Sequence, residues 1–123
     1  DVNQVIALHE KESAEITVSA VQPAGRYGSL SITGNRVNKF LEKPKGDGQW
    51  INGGFMVCEP SILKRIKNDE TILEQDPLID LAADNQMAVH KHLGFWAAMD
   101  TLRDRKYLES LWAGEEAPWK VWN

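Results

Sequence analysis

The hydrophobic pattern of this chain changes its period several times, and this change limits the possible folds more than any other feature. From Val2 to about Glu12, apolar residues recur at the spacing of a short amphipathic helix. Ile16, Val18 and Ala20 then alternate with polar residues, as in a half-buried strand. Further segments of both kinds follow. Helices that alternate with strands in this way predict an α/β fold in which helices flank a sheet.

The later segments extend this pattern. A hairpin is predicted around the turn Gly34-Asn35, and Phe40 and Leu41 at the end of its second strand should be covered on both faces. Asp76 is predicted to cap a helix that has Pro77 at its first position. The other predicted elements are strands over 50–58 and 87–93, and a last helix with Thr101 and Asp104 as its capping box and Leu108, Leu111 and Trp112 as its buried stripe.

Length and charge exclude several classes of protein. With 123 residues the chain has room for one compact domain, residues 1–123, around one core. The net charge of −4 and the scattered distribution of 14 Lys and Arg residues argue against a nucleic-acid partner. No apolar run is long enough for a membrane span. The single cysteine, Cys58, fits a reducing compartment, and we expect a cytoplasmic protein.

Polar residues interrupt three segments that otherwise have the pattern of core. They are Glu42-Lys43-Pro44 at a strand end, Asn52-Gly53-Gly54 within a strand, and Asp100-Thr101 before a helix. Ligands of α/β proteins gather where strands end and helices begin. Each motif also has a purely structural interpretation, which is a solvated turn, a β-bulge and a helix N-cap, respectively.

Other candidate sites are weaker. His90 and His92 lie on one face of a strand and could bind a metal, but no third ligand stands at a suitable spacing, so surface positions are favoured. Cys58 in an apolar strand is expected to be an inert core thiol. The tail residues Trp119 and Trp122 either form an oligomer contact or cover the core of the domain, and the sequence leaves this choice open.

Several motifs, taken in order, resemble those of glucose-1-phosphate cytidylyltransferases, a group of sugar-phosphate nucleotidylyltransferases. The resemblance covers nearly the whole chain, and it is most specific where Glu-Lys-Pro is combined with Asn-Gly-Gly, with Met-Asp-Thr-Leu-Arg-Asp and with the tryptophan-rich tail. It rests on Gly25-Arg26-Tyr27-Gly28, on the run from Phe40 to Gly48, on Ile51-Asn52-Gly53-Gly54-Phe55, on Glu74-Gln75-Asp76-Pro77-Leu78, on Gly94-Phe95-Trp96, on Met99 to Asp104 and on Ala117-Pro118-Trp119-Lys120.

The resemblance implies a role for each matching residue. Glu42 would accept hydrogen bonds from sugar hydroxyls, and Lys43 would pair with the sugar phosphate. Gly28 would touch the sugar through its backbone, and Asn52 would reach its hydroxyls beside Gly53, which leaves room. Asp100 would be a carboxylate ligand of the catalytic Mg²⁺.

The resemblance also implies the wider setting of these residues. The fold would be the carboxyl-terminal, sugar-phosphate-binding part of a nucleotide-diphospho-sugar transferase, with a Rossmann-like mixed sheet. The glycine-rich loop, Arg and Lys that hold the nucleotide, and a second metal-binding Asp, would belong to a half that is absent from these 123 residues. The chain alone would then contain no catalytic residue and would be inactive.

The expected partners follow from the same resemblance. They are glucose 1-phosphate, CTP only with the absent half, and further copies of the chain in a homo-oligomer. Two alternatives stay open. One is a non-catalytic sugar-phosphate-binding or assembly module, and the other is a uridylyl- or thymidylyl-transferring relative, since the residues that read the base are not among those matched.

Overall fold

A computed structural model describes residues 1–25, 29–42 and 49–122. Their contacts separate into two compact units, where the sequence predicts a single domain. The first unit comprises residues 1–21 and 50–92, and the second comprises the described residues of 22–49 and 93–122. In chain order the elements are α1 (Val2–Glu12), β1 (Ile16–Val21), β2 (Ser29–Thr33), β3 (Arg36–Leu41), β4 (Ile51–Cys58), a 3₁₀ helix (Pro60–Arg65), α2 (Asp76–Ala83), β5 (Met87–Lys91) and α3 (Leu102–Ala113).

The first unit is built on a three-stranded mixed sheet. Its strand order is β4-β1-β5, with β1 antiparallel to β4 and parallel to β5. A parallel pair needs a long crossover connection, and the 3₁₀ helix and α2 lie between the paired strands in the sequence. The mixed α/β architecture predicted from the sequence is therefore confirmed.

Helix α1 is tied to the sheet through a buried histidine. Asp1 caps the helix, with its side chain accepting a hydrogen bond from the Asn3 N–H at 2.9 Å. His9 is buried, and its Nδ1 lies 2.9 Å from Thr17 Oγ1 on β1. Its Nε2 lies 3.3 Å from Glu59 Oε1, directly after β4. Both ring nitrogens are thus satisfied, so α1 is held against both strands.

The core of the first unit lies on the other face of the sheet. Ile16, Ile62 and Leu81 are buried together, from β1, the 3₁₀ helix and α2. Partly buried apolar side chains surround them, namely Val18, Met56, Leu73, Leu78 and Met87.

The predicted cap of α2 is wrong by one position, because the helix begins at Asp76 itself and Gln75 is its N-cap residue without a side-chain bond.

A charged network ties the first unit together outside this core. Arg65 donates to Glu15 Oε1 and to Asp84 Oδ2, each at 2.7 Å, and the Ser61 hydroxyl donates to Glu15 Oε2 at 3.0 Å. These contacts link the α1–β1 connection, the 3₁₀ helix and the C-cap of α2. The Arg65 guanidinium, followed by the Ser61 hydroxyl, lowers the pKa of the Glu15 carboxyl.

We predict that Glu15→Gln reduces stability at neutral pH and removes part of its loss in acid. A carboxylate whose folded pKa is lowered contributes stability that is present above its unfolded pKa of about 4.3 and is lost as the pH falls through the folded value. Urea unfolding at pH 7 and at steps down to pH 3 measures this dependence. Glu10→Gln, an exposed position on α1, removes the same charge and serves as the control. Equal pH profiles for both variants would contradict the prediction.

The second unit contains the predicted hairpin, β2 paired antiparallel with β3. Its turn is confirmed at Gly34, whose φ of +57° is a left-handed conformation that glycine adopts without strain. The expectation that Phe40 and Leu41 are covered on both faces is wrong, since they are 59% and 43% exposed. Neighbouring apolar residues do point to opposite faces, but the pattern does not supply the layers needed to cover both faces of a two-stranded sheet.

Helix α3 also lies in the second unit. Its capping box is confirmed by reciprocal bonds between Thr101 and Asp104, but the predicted buried stripe is not, because no residue of the helix is fully buried and Trp112 is 51% exposed. The tail returns to its own unit, with Trp122 against Trp112 at 6.4 Å between ring centroids and Trp119 against Phe95 at 5.6 Å. Within the described part of the chain, every helix is too short or too polar to span a bilayer.

Candidate functional site

The predicted site residues fall into three groups. Gly28 and Lys43 lie outside the described residues. Asn52 and Gly53 belong to the first unit, where they are neighbours on β4. Glu42, which directly follows β3 and is exposed, belongs with Asp100 to the second unit.

Asn52 stands at an irregularity in the sheet. Val18 of β1 pairs with Met56 and Ala20 pairs with Asn52, so residues 53–55 of β4 lie opposite the single residue Ser19. The Asn52 Oδ1 accepts a hydrogen bond from the Gly54 N–H at 2.9 Å, and Gly54 has a φ of +91°. The structural interpretation of Asn-Gly-Gly as a bulge is therefore confirmed. Asn52 is also exposed, so its amide NH₂ stays accessible to a ligand.

Gly53 is required by packing between strands. A Cβ at this position would lie 2.8 Å from Val21 Cγ1 and 3.0 Å from the Ser19 carbonyl oxygen. The second of these atoms belongs to the backbone of β1 and cannot move out of the way cheaply. The close approach of β1 therefore explains why this residue is a glycine. The family resemblance implied instead that Gly53 leaves room for a ligand.

The sheet brings Asn52 into line with a lysine that the sequence analysis did not single out. Ala20 pairs with Asn52 on one side and with Lys91 on the other, so these three residues form one row and share one face. Two strand spacings put the Asn52 and Lys91 Cα atoms about 10 Å apart. Lys91 Nζ lies 5.5 Å from the ring centroid of Trp50, which is a cation–π contact. The strand register creates this group, and no sequence motif marks it.

Asp100 is not the cap of α3. Thr101 is the N-cap residue, and its Oγ1 accepts from the Asp104 N–H at 3.2 Å while Asp104 Oδ2 accepts from the Thr101 N–H at 3.1 Å. Asp100 precedes this box, is exposed, and forms no hydrogen bond or ion pair with another described residue. The capping alternative for Asp100 is therefore wrong, and its carboxylate is left available for a ligand.

One described carboxylate, that of Asp100, suits the ligand requirements of Mg²⁺. Residues 1–25, 29–42 and 49–122 contain no group of three or more His, Cys, Asp or Glu side chains that could hold a metal. Mg²⁺ usually keeps several waters and takes only one or two carboxylates plus substrate phosphate oxygens. A single accessible carboxylate at Asp100 fits such a site as one protein ligand. His90 and His92 likewise belong to no such group among the described residues.

Cys58 differs from the expected core thiol in its position. The residue is exposed at the end of β4. Partial desolvation nevertheless raises the pKa of its thiol, which lowers the fraction of the reactive thiolate at neutral pH.

The fold agrees with that of a solved structure. A putative glucose-1-phosphate thymidylyltransferase from Bacillus anthracis, crystallised in complex with a sucrose, matches all of this chain and 51% of its own with a TM-score of 0.64. The two sequences are 13% identical, so this match concerns the fold alone.

Comparisons of sequence identify relatives of this chain and the family to which it belongs. Glucose-1-phosphate cytidylyltransferase from Salmonella typhimurium is 48% identical over 122 residues, which are 99% of this chain and 48% of that enzyme. The probable glucose-1-phosphate cytidylyltransferase of Bacillus subtilis is 34% identical over 119 residues, or 96% of this chain and 46% of the relative. The chain thus spans about half the length of these curated relatives. The matches do not support the carboxyl-terminal placement that the sequence analysis predicted. The model of the nucleotidyl transferase family matches residues 1–109, and the chain belongs to that family.

Proposed function

We propose that this chain is part of a glucose-1-phosphate cytidylyltransferase, which transfers CMP from CTP to glucose 1-phosphate and forms CDP-glucose and pyrophosphate. The observation that carries this proposal is the 48% identity, over 99% of the chain, to the Salmonella typhimurium enzyme of that name. The proposal covers the activity of a whole protein of which these residues supply the sugar-phosphate-binding part.

The proposed contacts with glucose 1-phosphate use groups that suit each part of the ligand. The Glu42 carboxylate accepts hydrogen bonds from sugar hydroxyls, and the Asn52 amide donates to others. The Lys43 ammonium pairs with the phosphate as a compact charge. Gly28 offers its backbone to the sugar, and Gly53 contributes indirectly, because it allows the close strand pairing that sets the position of Asn52.

Asp100 is the proposed ligand of Mg²⁺ in this chain. The exposed carboxylate and its independence from the α3 capping box support this role. The ion would neutralise charge on phosphate oxygens when bound. The chain's own contribution to the reaction is to bind the sugar phosphate and to orient its phosphate oxygen toward the α-phosphate of CTP.

The nucleotide contacts are proposed to lie outside these 123 residues. Transfer of a nucleotidyl group depends on donors that hold the triphosphate and stabilise the developing charge. Because residues that read the base are not among those assigned here, a uridylyl- or thymidylyl-transferring enzyme is the second candidate. Comparing CTP with UTP and dTTP in a full-length enzyme that carries this chain distinguishes these possibilities.

We predict that the chain by itself binds glucose 1-phosphate and does not turn it over. With CTP, glucose 1-phosphate and Mg²⁺, pyrophosphate release should stay at background, while calorimetry should detect binding of glucose 1-phosphate. Lys43→Ala should weaken that binding about tenfold or more, since it removes a charge-assisted contact. Sustained release of pyrophosphate would refute the proposal that the nucleotide contacts lie outside these 123 residues. Absence of glucose 1-phosphate binding would refute the sugar-phosphate site.

Binding without turnover is also expected of a non-catalytic sugar-phosphate module, so a further experiment separates that alternative. Joined to the nucleotide-binding part of a relative, this chain should support CTP-dependent turnover if it belongs to an enzyme.

Two other properties stay predictions, namely a cytoplasmic location and a homo-oligomeric state. Light scattering on the purified protein measures the oligomeric state.

A further inference from the structure

We propose that Lys91 and Trp50 form a second sugar-phosphate-binding element, in which Lys91 pairs with the phosphate and Trp50 packs against the sugar ring. The inference rests on the proposed function, because it takes glucose 1-phosphate as the ligand. Neither residue belongs to the motifs that carry the family resemblance, and the sheet alone brings them to Asn52.

The first support comes from the position of the pair on the sheet. Strands β1 and β5 are parallel, so their carboxyl ends meet at one edge, and Lys91 is the last residue of β5. Ligands of α/β proteins bind outside the carboxyl ends of such strands. Asn52 is in the same row, near the beginning of the antiparallel strand β4. One edge of the sheet therefore carries an amide, an ammonium and an aromatic ring.

The second support comes from the face that these side chains occupy. Helix α1 covers the face of Thr17, since His9 reaches that hydroxyl. Side chains alternate along a strand, so Ala20 points to the opposite face, and its partners Asn52 and Lys91 point with it. Ile16 and Val18 precede Ala20 on this face and belong to the core. The row thus lies where the core ends.

The third support is the charge of Lys91. It is exposed and forms no ion pair with a carboxylate of the described residues, while its ammonium stays 5.5 Å from the Trp50 ring centroid. A phosphate monoester carries between one and two negative charges at neutral pH. The exposed Lys91 ammonium is therefore complementary in charge to such a group.

The chemistry of the three groups matches a hexose phosphate better than it matches either part alone. An amide both donates to and accepts from hydroxyls. An aromatic ring offers an apolar surface to the C–H groups on one side of a pyranose, and it also restrains the lysine through the cation–π contact. A free inorganic phosphate would use only Lys91, whereas a neutral sugar would use only Trp50 and Asn52.

The test compares Lys91→Met with the unaltered chain in titrations followed by calorimetry and by NMR chemical shifts. The ligands are glucose 1-phosphate, inorganic phosphate and glucose. Lys91→Met should weaken glucose 1-phosphate about five- to tenfold and should leave glucose unchanged, because one charge-assisted contact is lost. Lys91→Arg should restore most of the affinity. Lys11→Met removes the same charge from an exposed site on α1 and should change nothing.

The possible outcomes separate the role of Lys91 from the existence of the sugar-phosphate site. If the unaltered chain does not bind glucose 1-phosphate, the sugar-phosphate site and the role of Lys91 are both refuted. If it binds and Lys91→Met binds equally well, only the role of Lys91 is refuted. Equal weakening of glucose and glucose 1-phosphate would show that the lysine merely supports Trp50. Thermal unfolding of Lys91→Met and Lys91→Arg verifies that both variants are folded.

Discussion

Asp100→Asn is expected to reduce turnover about 100-fold or more in a full-length cytidylyltransferase that carries this chain, with little change in stability. Asparagine keeps the shape of the side chain but removes the charge that holds a metal ion against phosphate oxygens, and each loss of about 1.4 kcal/mol in transition-state stabilisation is a factor of ten. Folding should survive because Thr101 and Asp104 form the capping box of α3 without Asp100. Pyrophosphate release across a Mg²⁺ titration and the thermal midpoint measure the two effects separately.

Asp104→Asn is the matched control for this prediction. It makes the same chemical change four residues further on, and the asparagine Oδ1 can still accept a bond from the Thr101 N–H. We expect near-normal turnover and at most a small loss of stability. A near-normal rate for Asp100→Asn at ordinary Mg²⁺ would remove Asp100 from the active site.

Leu81→Ala is expected to reduce the free energy of unfolding by about 3 kcal/mol. Leu81 has no solvent-exposed surface and packs with Ile16 and Ile62 at the centre of the first unit. Truncation removes buried methyl groups and leaves a cavity that close-packed neighbours fill only in part. Urea unfolding followed by circular dichroism gives the change in free energy.

The control for the core is Leu63→Ala, which makes the same change in the 3₁₀ helix beside Ile62. Leu63 is 67% exposed, so its loss should cost less than about 1 kcal/mol. Similar losses for both leucines would contradict the assignment of the core to Ile16, Ile62 and Leu81.

The elements of the fold could be predicted because local patterns determine them. The alternation from Ile16 to Ala20, the Gly34-Asn35 turn and the Thr101–Asp104 capping box are each set by neighbours a few residues apart. The prediction failed where burial decides the result. Phe40 and Trp112 have the spacing of core residues and are exposed, because spacing tells which face a side chain occupies and not what covers that face.

The motifs of the candidate site were likewise visible in the sequence, but the physical roles of some members were not. Asp100 has the residue type and position of a helix cap, and only the observed bonds of Thr101 remove it from that role. Gly53 suggests room for a ligand, and only the distance to the Ser19 carbonyl shows that β1 occupies this space.

By itself, the sequence determined the order and type of the elements and the residues that carry the family resemblance, because these depend on local spacing and on residue identity. The tertiary structure alone decided which distant residues meet. Asn52 and Lys91 are 39 positions apart in the chain and share one row because both pair with Ala20. Strand register is a non-local property that depends on how the core packs, so no sequence motif predicts that these two residues meet.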